Sequence, residues 1–210
     1  MHTLDELLEA IRQCRICLEA PRGRPLPHEP RPVLQPSATA RILIAGQAPG
    51  IRVHASGRPF TDPSGGRLRH WLGIGSDVFY DASRIAILPM GFCFPGLDSS
   101  GGDLPPRPEC AAAWRAYCMA AMPQFDFVIC LGAHAMRWHM GKAFRGSVGE
   151  TVKAWKDGLS LTPAVLPLPH PSWRNNAWLR DNPWFETDVL ADLRLDVRRL
   201  LDDAMQSPPA

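Results

Sequence analysis

Arg41-Ile-Leu-Ile-Ala45, followed at once by Gly46-Gln-Ala-Pro-Gly50, is the stretch on which the reading of this chain turns. A short, continuous apolar run is the mark of a strand buried on both faces, and such strands build parallel sheets covered by helices. Two glycines and a proline directly behind the run make a tight loop whose backbone N–H groups can converge on an anionic or carbonyl oxygen. It is not a Walker A loop, because no Gly-Lys-Ser/Thr follows. Nor is it the dinucleotide fingerprint, which needs three glycines at other offsets.

Working outward, the same kind of run recurs at Arg84-Ile-Ala-Ile-Leu88 and Phe127-Val-Ile-Cys-Leu131. A fourth, Ala164-Val-Leu-Pro-Leu168, is broken by Pro167 and therefore belongs at a sheet edge or a strand end. Helical periodicity separates the runs, over Gly66–Leu72, Glu109–Ala121, Ala133–Lys142 and Val148–Trp155. Ahead of the first strand, Thr3 and Glu6 read as a capping box for a helix over Leu4–Cys14, and a proline-rich connection spans Ala20–Pro36. Asn182-Pro183 reads as the start of a last helix, with Phe185, Val189, Leu190, Leu193, Val197 and Leu200 on one apolar face. The alternation predicts a single α/β domain over residues 1–205, with a central four-stranded, mostly parallel sheet flanked by helices on both faces. A frayed tail is expected over residues 206–210. In such sheets the ligand sits at the carboxyl ends of the strands.

Composition agrees with one domain: 210 residues, 45% of them apolar and 21% charged. A net charge of +2 does not by itself demand a polyanionic partner. Its distribution says more, because Ile51–His70 carries Arg52, Arg58, Arg67 and Arg69 against the single acid Asp62. No apolar run approaches the ~18 residues needed to span a bilayer. The N-terminal segment is acidic and amphipathic rather than signal-like, so a cytoplasmic location is expected. In that reducing setting six cysteines suit free, catalytic or metal-bound thiols better than a disulfide framework.

Two further elements carry chemistry. Pro169-His170-Pro171-Ser172 follows the fourth run, and its prolines fix the orientation in which the imidazole is presented. In Gly57-Arg-Pro-Phe-Thr-Asp-Pro-Ser-Gly-Gly66, Phe60 lies between a proline and polar residues, where an aromatic face could stack on a nucleobase. Each has a plainer reading: a generic turn, a surface histidine, a phenylalanine plugging its loop onto the core. Two loops on one edge of a parallel sheet are more specific than either alone.

Gly46–Gly50, Arg58-Pro59-Phe60 ten residues on, and His170-Pro171-Ser172 occur in the order of the glycine-rich motif, the stacking phenylalanine and the HPS-type motif of uracil-DNA glycosylases. Over about residues 10–180 the chain resembles that superfamily, and most of all its iron–sulfur-containing family 4 branch. The resemblance implies a monofunctional DNA-repair glycosylase that flips out uracil or a related deaminated base and hydrolyses its N-glycosidic bond. Its partner would be DNA, single-stranded or with a flipped-out base, with no membrane and no obligate protein partner. Phe60 would stack on the base. Amides of Gly46, Gln47 and Ala48, with His170, would meet a base carbonyl oxygen, and Gln47 or Asp62 would position the water. Arg52, His54, Arg58, Ser172, Arg174 and Asn175 would meet the DNA. Cys14, Cys17, Cys93 and Cys110 resemble the thiolates that hold a [4Fe–4S] cluster in that branch; zinc or unligated thiols stay open. Cys118 and Cys130 have no counterpart and read as core.

The chain also departs from the family. Gln47 stands where family 4 has Glu, and Ala48 where family 1 has a water-orienting Asp. Pro89 stands where a uracil-reading Asn is common. These departures favour an alternative, a DNA- or lesion-binding member of the same fold without turnover.

Overall fold

A computed structural model describes residues 3–122 and 124–206, with the side chains of 204–206 left aside. Four strands form one sheet: β1 (Ile42–Ala45), β2 (Ile85–Ile87), β3 (Phe127–Leu131) and β4 (Ala164–Leu168). Their order is β2-β1-β3-β4 and every pairing is parallel. The expected α/β sheet is thus present, and fully rather than mostly parallel. Pro167 sits opposite Cys130 on the edge strand β4, where a missing ladder donor is tolerated. All residues of β1, β2 and β3 are buried, as continuous apolar runs require when helices cover both faces.

β1 lies at the centre and the chain steps from it to β2 on one side and β3 on the other. That reversal is the switch point at which parallel sheets open a crevice. Because all four strands run one way, the loops after Ala45, Ile87, Leu131 and Leu168 emerge on the same edge.

The helices follow the expected stretches with shifted ends. The first spans Leu4–Arg12, and its capping box is formed in both directions, Glu6 N–H to Thr3 Oγ1 at 3.2 Å and Thr3 N–H to Glu6 Oε2 at 2.9 Å. The helix expected over Gly66–Leu72 begins earlier, at Pro63, because Asp62 caps it through Ser64 N–H. A helix at Ile51–Ser56, directly behind the glycine loop, has no apolar periodicity to betray it. Asn182 does not cap the last helix through its side chain: its amide donates to the Trp178 carbonyl and accepts from the Trp184 indole. That helix runs on through Leu190–Gln206, so Gln206 is helical and the rest of the expected tail lies outside the described residues.

The stretch at Pro108–Ala121 contains a π-helical turn, Ala111–Arg115. At its end Arg115 is fully buried. Its guanidinium donates to the carbonyls of Leu88 and Pro89 at 3.2 and 3.0 Å, and to His139 Nε2 at 2.5 Å. An arginine can only donate, so His139 Nε2 carries its lone pair. Burial, with the nearby charge of Arg115, pushes the His139 imidazole down to about 3. The buried arginine pins the exit of β2 just where the strand edge becomes the crevice wall. Cys118 and Cys130 are buried in the apolar core, as expected.

Gly158, in the helix Trp155–Leu159, packs directly on β4: a Cβ there would lie inside the van der Waals sphere of the Val165 carbonyl oxygen. Gly→Ala in a helix ordinarily stabilises by about 1 kcal/mol. Gly158→Ala should instead destabilise the protein by about 1–3 kcal/mol through overpacking, measured by urea unfolding.

Candidate active site

The loop after β1 is stitched to the segment leaving β2: Met90 N–H donates to the Gly46 carbonyl at 2.9 Å and Gly91 N–H to that of Gln47 at 3.0 Å. Over this loop lies the ring of Phe60, whose Cζ would be 3.6 Å from a Cβ on Gly46. A side chain begun at Gly46 would therefore meet the tip of the ring at ordinary contact distance.

Phe60 has φ +52°, the left-handed region that a bulky residue avoids. Such a conformation costs about 1–3 kcal/mol and persists only where its surroundings over-determine it. Here they do. The Tyr80 hydroxyl donates to the Phe60 carbonyl at 3.1 Å and Arg69 Nη1 donates to it at 3.3 Å. A Cβ on Gly65 would collide with that same carbonyl, so only glycine fits beside it. The ring meets Phe79 edge-on at 5.9 Å, and the Arg58 guanidinium stacks 3.4 Å from the Tyr80 ring centroid.

His170 stands just beyond β4. Its carbonyl accepts from Asn175 Nδ2 at 2.7 Å. Ser172 Oγ accepts from Arg174 N–H at 3.1 Å and the Ser172 carbonyl accepts from Arg67 Nη1 at 3.1 Å. Arg67 therefore ties the Pro63–Leu72 helix to the loop that carries His170. Burial lowers the His170 pKa below the ordinary histidine value; the Asp62 carboxylate opposes that shift and Arg174 adds to it. His170 is thus a neutral imidazole at pH 7, able to donate from one nitrogen and accept at the other.

A third loop, after β2, crosses the site. Gln47 Nε2 donates to the Leu104 carbonyl at 3.4 Å, and the Asp103 carboxylate occupies the space beside Gly50 that a Cβ would need. Ile51, Leu97, Leu104 and Trp173 are all exposed apolar side chains on these segments, and Trp173 is 71% exposed immediately after His170-Pro171-Ser172. The Arg174 guanidinium lies over the Trp173 ring, 5.4 Å from its centroid.

Phe60, His170, Asp62, Gln47 and the Gly46–Gly50 loop thus share one edge of the sheet. The remaining expected residues divide. Arg52, Arg58 and Arg174 are exposed. His54 turns inward, its ring 4.3 Å from that of His28 and 6.0 Å from Phe94, with a buried Nδ1 that has no partner. Asn175 is spent on the His170 carbonyl. Arg67 and Arg69, half of the basic strip, hold loops through carbonyl oxygens. Asp103 and Trp173 went unnoticed in the sequence. Asp103 could have been found from topology, since it lies in the loop following a strand whose carboxyl end faces the crevice.

A second centre lies away from this edge. Cys14, Cys17, Cys93 and Cys110 line one cavity with Ile11, Pro30, Pro32, Phe92 and Trp114. Two of the sulfurs accept an N–H. Cys14 takes the Trp114 indole at 3.2 Å and Cys110 the Phe92 amide at 3.3 Å. Burial raises the Cys17 thiol above its ordinary range, with the Glu109 carboxylate adding to the rise and Arg107 opposing it. Burial pushes the Cys93 and Cys110 thiols up to about 12. Among the described residues no group of three or more His, Cys, Asp or Glu side chains is gathered in a way that could hold a metal ion.

Residues 33–194 match the family described as the uracil DNA glycosylase superfamily. The chain belongs to the uracil DNA glycosylase superfamily. The matched segment begins beyond Cys14 and Cys17 and includes Cys93 and Cys110. Among solved structures, the chain is similar to wild-type SMUG2 of Pedobacter heparinus, at 14% identity and a TM-score of 0.35, over 79% of this chain and 74% of that one. Among the described residues no helix is long and apolar enough to cross a membrane.

The electrostatics of His170 can be read directly. Its NMR titration midpoint should fall below that of a free histidine. Asp62→Asn should lower it further, because the lost carboxylate favoured the imidazolium, and Arg174→Met should raise it. A midpoint that ignores both changes would place neither charge beside the ring.

Proposed function

We propose that this protein is a monofunctional DNA glycosylase that removes uracil or a related deaminated base from DNA. The observation that carries the reading is the strained Phe60, whose ring tip faces Gly46 at the same edge as His170. Such rigidity suits a platform for a planar ligand. A nucleobase is planar, and an enzyme that works on one takes it out of the stack.

Breaking the N-glycosidic bond leaves negative charge on the base and positive charge on the deoxyribose. In this reading the flipped base stacks on Phe60. Neutral His170 donates to its carbonyl oxygen, helped by the amides of Gly46, Gln47 and Ala48, as an oxyanion hole does. A neutral imidazole suits that task, since it gains strength as charge develops without titrating at pH 7. Arg52, Arg58 and Arg174 contact phosphates, which sets affinity rather than base choice. Trp173, exposed beside them, is shaped to enter the gap the base leaves.

The likeness to the family 4 branch extends to the cysteines. Four cysteines lining one cavity are the residue set that a [4Fe–4S] cluster requires, and they would have to draw together from their present positions to hold it. Cys14, Cys17, Cys93 and Cys110 would hold it. When bound, the cluster supplies a tie between the N-terminal helix, the β2 exit and the Pro108–Cys110 helix. Iron analysis should find about four iron atoms per chain in anaerobically purified protein. Cys14→Ser should lose iron and thermal stability where Cys118→Ser keeps the iron. Protein without iron in either form would refute the cluster and leave the glycosylase untouched.

The test of function is excision from oligonucleotides carrying uracil, hypoxanthine or xanthine, single- and double-stranded, with abasic sites cleaved by alkali. His170→Ala should slow single-turnover excision by about 10²–10³ fold, a loss typical of removing a transition-state donor, and Phe60→Ala should cost about 1–3 kcal/mol of stacking on the base. Ala48 and Pro89 favour a second reading, a lesion-binding protein without turnover. Tight binding with no excision of any of these bases would establish it.

A further inference from the structure

We propose that Asp103 is the carboxylate that takes the proton of the attacking water. The inference rests on the glycosylase reading and assigns a role that the sequence had left between Gln47 and Asp62.

Three carboxylates approach the crevice, and their surroundings differ. Asp98 is consumed by its own loop: its Oδ1 accepts from Ser100 N–H, Ser100 Oγ and Gly102 N–H. Asp62 caps the Pro63–Leu72 helix through Ser64 N–H. No hydrogen bond to a described residue occupies the Asp103 carboxylate. Its place is nevertheless fixed, because its backbone pairs with Leu97 and the next residue accepts from Gln47. Asp103 Oδ2 lies 3.2 Å from where a Cβ on Gly50 would be, so the carboxylate rests on the far end of the glycine loop. The absent side chain at Gly50 makes room for it. Gly46, at the other end of that loop, faces the tip of the Phe60 ring.

The charges around Asp103 belong to the crevice. Asp62 faces it from the Phe60 loop, Arg174 from the segment after His170, and Asp98 from its own loop. Desolvation, with Asp62 and Asp98, raises its pKa above the ordinary aspartate value, while Arg174 opposes the rise. A more basic carboxylate is the better proton acceptor. Asp103 also stays open to solvent, as a group that must meet water has to. Ala48, which lacks a carboxylate, leaves this task to another residue.

The step balances without an added reagent. A water oxygen bonds to C1′ of the deoxyribose as the C1′–N bond breaks. The bond's electron pair leaves with the base, whose charge is met by His170 and the loop amides. The water proton passes to Asp103, and the products are an abasic sugar and the base anion, which then takes a proton from solvent.

Single-turnover excision from the oligonucleotide that the wild-type protein cuts best provides the test, alongside affinity for an oligonucleotide with a tetrahydrofuran abasic analogue. Asp103→Asn should slow excision by about 10²–10⁴ fold, the range of general-base catalysis, while analogue affinity changes by less than about twofold. The wild-type rate should fall at acid pH as Asp103 is protonated, and Asp103→Asn should lose that limb. Formate should restore part of the rate to Asp103→Ala, which separates a missing base from a misfolded loop. Near wild-type excision by Asp103→Asn would overturn the assignment and leave the glycosylase standing. A wild-type protein inactive on every deaminated base would overturn both.

Discussion

The carbonyl oxygen of Phe60 is the point at which this site is held together. A phenylalanine at φ +52° relaxes to an ordinary conformation unless something prevents it. Two donors, the Tyr80 hydroxyl and the Arg69 guanidinium, converge on that oxygen, and Gly65 approaches it so closely that no other residue fits. A typical hydrogen bond adds about 0.5–1.5 kcal/mol net, and one to a charged group about 1.5–3. Two such bonds are therefore of the right size to offset the strain. The same contact fixes the turn into Asp62 and so the helix that starts at Pro63. That helix carries Arg67, which reaches the Ser172 carbonyl and with it the His170 loop. One left-handed residue thus sets the relative positions of the aromatic face and the imidazole, although they come from loops more than a hundred residues apart.

A second chain of contacts joins the cysteine cavity to the same loop. Arg31, whose backbone lies beside Cys93, gives its guanidinium to the carbonyls of His54 and Ala55, at 2.9 and 2.8 Å, at the end of the Ile51–Ser56 helix. Gly57, at φ +70°, ends that helix, and a Cβ there would stand 2.6 Å from Arg31 Nη2. The proline-rich segment is therefore no loose connector. Its prolines keep it extended, with few states to lose on folding, and Arg31 spans from the sulfur cavity to the approach of Phe60.

Much of this architecture was legible in the sequence because buried parallel strands are a strong one-dimensional signal. Ile42–Ala45, Ile85–Ile87 and Phe127–Leu131 are unmixed apolar runs, and Pro167 correctly put β4 at the edge. The Gly46–Gly50 loop, Phe60 and His170 stood out since each breaks a local rule, by glycine, by an aromatic set among polar loop residues or by flanking prolines. What the sequence concealed was partnership. Asn175 and His54 look like free polar groups until the fold hands one a carbonyl and the other a stack of rings. Arg67 and Arg69 stand in the basic strip, and the fold gives one guanidinium N–H of each to a backbone oxygen. Asp103 carries no local signature at all, because its importance comes only from the crossing of its loop over Gly50.

Pro89 shows how a departure from a family pattern can be consistent with the rest of a fold. The residue is buried at the exit of β2, and its carbonyl is already taken by Arg115. A proline has no N–H and no polar side chain, so this position offers a base edge nothing to bond. The buried guanidinium has no carboxylate among its hydrogen-bond partners, which are two carbonyls and the His139 ring. Leaving such a group unpaired inside a protein is costly. Moving the Pro89 carbonyl to serve a ligand would therefore take a donor's partner from Arg115 at the same time. The β2 exit is fixed as structure, and in the proposed glycosylase reading recognition at this edge of the sheet falls to other groups: the Phe60 face, the neutral His170 ring and the amides of the Gly46–Gly50 loop.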